Sequence, residues 1–352
     1  MIKTRKVLSL VLVVVFITAI ALTGCGGSSS GSSAASSAAP ASSAAEAASS
    51  AAPADSTGGR KGVDTPISAG ISVKTMSNPF FARVRDAVEE ELLALNPENK
   101  LASYDSLQDV NKELSNVEDM IAQKMDVIFL TAIDLEGSVA AVDKVSAAGI
   151  PIVLLDSGIK GMDKKATFTV ISDNMQAGRL TMQAIADALD GKGKIVIYEN
   201  SLSAAVSDRM KGRDEILAKY PDIEVVNRQN GPGQIDKAME VMNNFLQSDP
   251  DAVAVWAMND PSAQGCVAAI KGAGKKPGEI LVTGIDGASD SIKLINEGYQ
   301  LGTASQFPSQ IGKIAVEEAV KYINGEQISA QDIRIPTEWI DSEKAKTFVA
   351  DY

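Results

Sequence analysis

The chain has 352 residues, 45% of them hydrophobic, and a formal net charge of −12. That length supplies core for two domains or one large one, and the acidic balance argues against nucleic acid or an anionic membrane surface as a partner. There is no histidine, which removes the commonest general base, the commonest metal ligand and the usual catalytic triads.

The first residues carry Lys3, Arg5 and Lys6, followed by an apolar run from Val7 to Leu22. This reads as a secretory signal over residues 1–24, too short and too closely followed by small residues for a stable span. Its end, Leu22-Thr23-Gly24-Cys25, resembles a bacterial lipoprotein lipobox. The resemblance implies cleavage before Cys25, acylation of that thiol and anchoring on the outer face of the cytoplasmic membrane. Residues 25–66 are mostly Ser, Ala, Gly and Pro. Such a stretch cannot bury enough apolar surface to offset ordering, so a flexible tether is expected. As a coil it would reach about 30–40 Å.

From Ile67 the pattern changes. Ile71-Ser-Val-Lys-Thr-Met-Ser-Asn-Pro-Phe-Phe81 reads as a short apolar strand ending in a polar loop. Asn78-Pro79 breaks the strand, and Phe81, Val84, Val88, Leu92 and Leu95 then fall at helical spacing. An amide beside two aromatic rings, at the mouth of a strand-to-helix turn, suits a sugar: hydroxyls take the hydrogen bonds and the C–H face stacks on a ring. Further strands are predicted over 100–106, 126–133, 151–156 and 168–172, then over 194–199, 223–228, 252–258, 279–286 and 301–306. Helices are predicted between them over 110–124, 136–148, 176–189, 209–220, 234–247 and 310–324. Apolar strands alternating with amphipathic helices indicate parallel sheets covered on both faces. Ten strands are too many for one sheet, so two doubly wound α/β lobes of about five strands each are expected. The first lobe takes 67–172 and 307–333; the second takes 173–306 and 334–352.

The body from Ile67 to about Ile335 resembles the ribose/galactose-type periplasmic binding proteins, type I receptors of bacterial sugar ABC importers. The residues that carry the likeness are Ser77-Asn-Pro-Phe-Phe81, Ile150-Pro-Ile-Val-Leu-Leu-Asp156, Ile171-Ser-Asp-Asn174, Asp208-Arg-Met-Lys-Gly212, Ala257-Met-Asn-Asp260, Gly284-Ile-Asp-Gly287 and Gln306-Phe-Pro-Ser-Gln-Ile-Gly312. None is specific alone; their order and spacing together are. The resemblance implies a multi-crossover hinge and a sugar cleft between the lobes. Asn78, Phe80, Phe81 and Asp156 would come from the first lobe, Arg209, Asn259 and Asp286 from the second, and Gln306 from a hinge crossover. Side-chain chemistry agrees: a carboxylate accepts from two adjacent hydroxyls, a guanidinium offers a planar fork, and an amide serves either kind of partner. Each of these residues also has a plainer reading. Asp286 and Asn259 can be helix caps, Arg209 a solvated helix residue, and Phe80 and Phe81 core, with Phe81 expected to be partly core. Trp256 reads as packing and Cys266 as a small buried hydrophobe.

Two positions depart from the pattern of ribose-binding members. Ser157 stands where they carry an arginine, and Gly233 where they carry a third stacking phenylalanine. The cleft is then roomier, or refilled by a residue such as Met258 or Gln229. Gly272-Ala-Gly-Lys-Lys-Pro277 starts like a dinucleotide fingerprint but follows a helix, and reads as a surface turn. No Walker loop or calcium loop occurs, and Asp156 with Asp286 does not read as a glycosidase pair. The resemblance therefore implies a monomeric receptor, with no enzyme activity, cofactor or metal, that passes a monosaccharide to ABC permease subunits. Rival readings are a sugar or furanose-signal receptor feeding a chemoreceptor or sensor kinase, a transcription repressor of the same fold, and an exported carbohydrate enzyme. The tether and the lack of a basic helix-turn-helix segment oppose the repressor.

Overall fold

The structure, a computed structural model, describes residues 59–352. The signal peptide, Cys25 and most of the expected tether lie outside the described residues.

Two six-stranded sheets share one strand order. The first contains β1 (Ser68–Val73), β2 (Lys100–Asp105), β3 (Val127–Leu130), β4 (Ile152–Leu155) and β5 (Phe168–Ser172). The second contains β6 (Lys192–Glu199), β7 (Asp222–Asn230), β8 (Ala254–Ala257), β9 (Leu281–Asp286) and β10 (Gly302–Ser305). Each sheet gains one short return strand that the sequence pattern did not reveal: β11 (Asp332–Ile335) in the first and β12 (Glu338–Ile340) in the second. The orders are β11-β5-β4-β3-β1-β2 and β12-β10-β9-β8-β6-β7. All pairings are parallel except that of β12 with β10. β11 and β12 are only four and three residues long; runs so short carry no usable period. β11 also keeps Arg334 and Ile335 in the first sheet, so the crossing expected at 334 comes two residues later.

The strands alternate as a pleat requires. In β3, Val127 and Phe129 face one core while Ile128 and Leu130 face another, and β4 divides Val153 and Leu155 from Ile152 and Leu154 in the same way. The helices of the first lobe are α1 (Pro79–Leu95), α2 (Val110–Ala122), α3 (Val139–Ala147), the short α4 (Met162–Lys165) and, after the chain has visited the second lobe, α10 (Pro308–Ile323). Those of the second are α5 (Asn174–Ala188), α6 (Ala204–Leu217), α7 (Ile235–Ser248), α8 (Asp260–Gly272) and α9 (Ser289–Asn296). The chain crosses between the lobes after β5, after β10 and after β11.

Two findings correct the sequence expectations. Residues 59–66 do not behave as tether. Lys61 and Asn324 exchange two hydrogen bonds of 2.9 Å, Asn96 and Asn99 donate to the carbonyls of Val63 and Gly62, and Val63 packs on the first-lobe core. Side-chain amides supply here what composition alone denies. Helix α6 begins at Ala204, five residues before the expected start. Its buried stripe, Ala205, Val206, Arg209, Gly212, Arg213 and Ile216, contains two arginines, and these hide the apolar period.

Candidate functional site

Both sheets point their carboxyl strand ends at one cavity of about 640 Å³. In open α/β sheets this is where ligands bind, at the point where strand order reverses. All eight candidate residues line it: Asn78, Phe80, Phe81 and Asp156 from the first lobe, Arg209, Asn259 and Asp286 from the second, and Gln306 at a crossover.

In the first lobe the loop after β1 is pinned from below. Lys74 N–H donates to Thr131 Oγ1 at 2.7 Å, Met76 N–H donates to Asp105 Oδ2 at 3.1 Å, and the Thr75 and Ser77 hydroxyls pair at 2.9 Å. Asn78 then caps α1, its Oδ1 accepting from Phe80 N–H at 3.0 Å. Capping engages the oxygen and leaves the amide nitrogen available to the cavity. Phe80 and Phe81 meet edge to face, 5.4 Å between centroids. Phe80 is the buried one of the pair, and Phe81 is half-buried against the same core. Both still reach the cavity wall.

Asp156 follows β4 with φ of +63°, and Asp286 ends β9 with φ of +147°. Both values lie where glycine is favoured, and such strain is held at about 1–3 kcal/mol each only where surrounding structure enforces it. Asp286 is enforced by its neighbour. The carboxylate of buried Asp260 accepts from Gly287 N–H at 2.9 Å, Ala288 N–H at 2.8 Å and Thr303 Oγ1 at 2.8 Å, and so fixes the loop after β9. Burial pushes both carboxyls upward, Asp286 well above the usual carboxylate range despite the opposing pull of Arg209.

Arg209 is placed by close helix packing. A Cβ at Gly178 in α5 would stand 1.9 Å from the Arg209 carbonyl oxygen, and one at Gly212 would stand 2.0 Å from the Met175 carbonyl oxygen. Only glycine lets α5 and α6 approach so closely. The guanidinium is then held on three sides: Nε donates to Asn174 Oδ1 at 2.8 Å, Nη1 to Met258 O at 2.7 Å and Nη2 to Gln306 Oε1 at 2.9 Å, with Asp286 Oδ1 at 3.9 Å. It is therefore not a solvated helix residue, being 5% exposed. Asn259 caps α8 through Ser262 N–H at 3.0 Å and also lines the cavity, its amide donating to Gly233 O at 3.3 Å. Capping and facing the cavity coexist.

Residues that sequence reasoning left without a role complete the site. Lys74 lies 3.6 Å from Asp156 Oδ2 and 5.5 Å from the centre of the Phe81 ring. Burial lowers its pKa, against the attraction of Asp156. Asn174 and Asp260 act behind Arg209 and Asp286; both stood inside quoted motifs, but nothing in a linear pattern tells a positioning residue from a lining one. Tyr352 also lines the cavity, and no motif pointed to it. Ser157 is buried, and its Oγ accepts from Ala205 N–H at 3.4 Å across the lobes. Met258 and Gly233 both line the cavity, whereas Gln229 does not. Trp256 is core, donating to Thr181 Oγ1 at 2.9 Å with the Arg213 guanidinium 4.7 Å from its ring centre. Cys266 is buried, its thiol pushed up to about 12.

At the rim, Leu135 N–H donates to Leu202 O at 2.9 Å, joining the two lobes across the cleft. A second tie is the approach of Arg334 to Asp208 at 3.7 Å. The lobes are thus closed on each other.

The profile of the periplasmic binding protein domain matches residues 69–327. The chain is 34% identical over 259 residues to the ribose import binding protein RbsB of Bacillus subtilis (strain 168), covering 74% of this chain and 82% of that protein. Among solved structures it is similar to an ABC transporter solute binding protein from Bacillus halodurans with bound myo-inositol (TM-score 0.76, 29% identity, 81% of this chain and 98% of that one). It is also similar to a periplasmic solute binding protein from Actinobacillus succinogenes with bound D-allose (TM-score 0.72, 29% identity, 80% and 100%). With two α/β lobes closed over a cavity lined by charged, amide and aromatic side chains and a domain match spanning most of its length, the chain belongs to the periplasmic binding protein family.

Proposed function

We propose that this protein captures a neutral monosaccharide between its lobes and delivers it to an ABC permease, by binding without reaction. The observation that carries this reading is the pairing of polar side chains in the inner cleft. Asp156 faces Lys74 and Asp286 faces Arg209, so the inner lining sets hydrogen-bond acceptors and donors side by side, beside the Phe80 and Phe81 rings. A polyhydroxylated neutral ligand satisfies such groups; an anion or cation would leave one carboxylate or one cation unpaired. The relatives named for ribose, myo-inositol and allose support the same ligand class. A ligand that touches both lobes favours the closed state by its differential affinity, and closed lobes present a surface to the permease.

The Cys25 motif adds a lipid anchor on the outer face of the cytoplasmic membrane, from which the body works as a monomer. The main experiment is a thermal-shift screen against D-ribose, D-allose, myo-inositol, other pentoses and hexoses, and polyols. A sugar at a hundred times its Kd adds about 2.7 kcal/mol, enough to raise Tm by several degrees. No shift with any of them would overturn the sugar reading. Recovery of a Cys25→Ser protein in the membrane fraction, at the wild-type level, would overturn the anchor.

A further inference from the structure

Beyond β12, residues 341–352 run over the second lobe and end against the first. Ala345 is buried with Ile292 and Ile295, and Phe348 and Ala350 pack on the same cluster. The Asp351 carboxylate then accepts from Ser309 N–H at 2.7 Å, pairs with the Ser309 hydroxyl, and lies 3.7 Å from Arg83 Nε. Those partners sit at the start of α10 and on α1, in the first lobe. Tyr352 spans both sides. Its main-chain oxygen accepts from Ser289 N–H at 3.1 Å, at the start of α9, while its ring meets Phe80 edge-on at 6.0 Å and 81°.

The strap therefore brings a third aromatic ring to a cleft that Gly233 leaves without one. A side chain at that glycine would displace the Asn259 amide, since a Cβ would stand 2.6 Å from Asn259 Nδ2. The Tyr352 hydroxyl is buried and has no hydrogen-bond partner among the described residues, although Tyr352 lines the same cavity as Arg209 and Asp286. A buried hydroxyl without a partner costs about 1–3 kcal/mol, so a feature of this kind points to a partner that arrives with the ligand. Burial, reinforced by the charge of Asp286, raises the phenol well above its ordinary value. The hydroxyl stays protonated and can donate as well as accept.

We propose that Tyr352 is a ligand-recognition residue: its ring forms an aromatic wall of the sugar cleft and its hydroxyl hydrogen-bonds one hydroxyl of the bound monosaccharide. This rests on the sugar-receptor reading above and adds to it a determinant of specificity. A site built to bond a particular hydroxyl rejects analogues that lack it, because the protein group is then left unpaired.

The test uses the full chain and the panel sugar that binds best, together with its monodeoxy analogues. Calorimetry measures each with wild type, with Tyr352→Phe and with Tyr322→Phe, a control at an exposed tyrosine on α10. Tyr352→Phe is expected to weaken the parent sugar by about five- to twentyfold, while one deoxy analogue binds Tyr352→Phe and wild type within twofold. Tyr322→Phe leaves all affinities unchanged. Equal affinities of wild type and Tyr352→Phe for every sugar overturn the assignment. So does a uniform loss across parent and all analogues, which would mark a structural role only. If wild type binds no panel sugar, the receptor reading itself fails and this proposal falls with it.

Discussion

Each half of the cleft pairs a carboxyl group with a cation, Asp156 with Lys74 and Asp286 with Arg209, and the two pairs are held differently. In the second lobe, Arg209 donates to three oxygens and is locked between α5 and α6, while Asp286 stands on a loop fixed by Asp260. In the first lobe, Lys74 sits 3.6 Å from Asp156, beyond a short hydrogen bond, and otherwise faces the Phe81 ring. A planar fork engaged on several sides is preorganised; an ammonium on a flexible stem is adaptable. The difference suggests that the second lobe sets which hydroxyls are read and that the first adjusts to the ligand on closure.

Breaking the rigid side should have the largest effect. Arg209→Ala leaves Asn174, Gln306 and Asp286 without their shared partner. Removing one member of such a buried network costs about 3–5 kcal/mol. The expected result is a clear drop in Tm of the unliganded protein and loss of sugar binding. A variant that melts like wild type would show that Arg209 is not the keystone of that half.

Asp286→Ala should come next, weakening the best panel sugar by more than about tenfold, as expected for losing a buried hydrogen-bond partner. Unchanged Kd in calorimetry would remove Asp286 from the site. The same residue has a pH signature. Because burial raises its carboxyl in the folded state, the folded protein keeps this proton at pH values where the unfolded chain has lost it. The stability that Asp286 contributes is therefore present at low pH. It declines as pH rises from about 4, the ordinary carboxylate value, through the raised one. Asp286→Asn should flatten this part of the Tm-against-pH curve for the unliganded protein. An identical curve would show that the group titrates normally.

Lys74→Met should have the smallest effect, about three- to fivefold on Kd, since it removes a weakly engaged donor. A loss as large as that of Asp286→Ala would reverse the comparison, making the first lobe the discriminating half.

Much of this architecture was legible in the chain. The apolar runs ending in Asp156, Asp286 and Gln306 marked strand ends, and strand ends face the cavity in parallel sheets, so the candidates that line the cavity followed from linear pattern and family likeness together. The start of α6 was misplaced because Arg209 and Arg213 occupy buried positions that period counting treats as polar. β11 and β12 left no linear signal because strands of four and three residues are defined by their partners, not by their own pattern. The docking of 59–66 was missed for a similar reason: amides of Asn96, Asn99 and Asn324, distant in sequence, make it.

By itself the sequence determined the α/β class, the two-lobed division and the residue types at the strand ends, because these depend on local period and on motifs of fixed spacing. Only the tertiary structure decided which half of the cleft is rigid, that Lys74 takes part, and that Tyr352 enters the cavity. Those outcomes rest on contacts between segments far apart in the chain: the near-contact of α5 and α6 at Gly178 and Gly212, and the strap that ends between α1, α9 and α10. Such contacts leave no periodic trace for a linear reading to find.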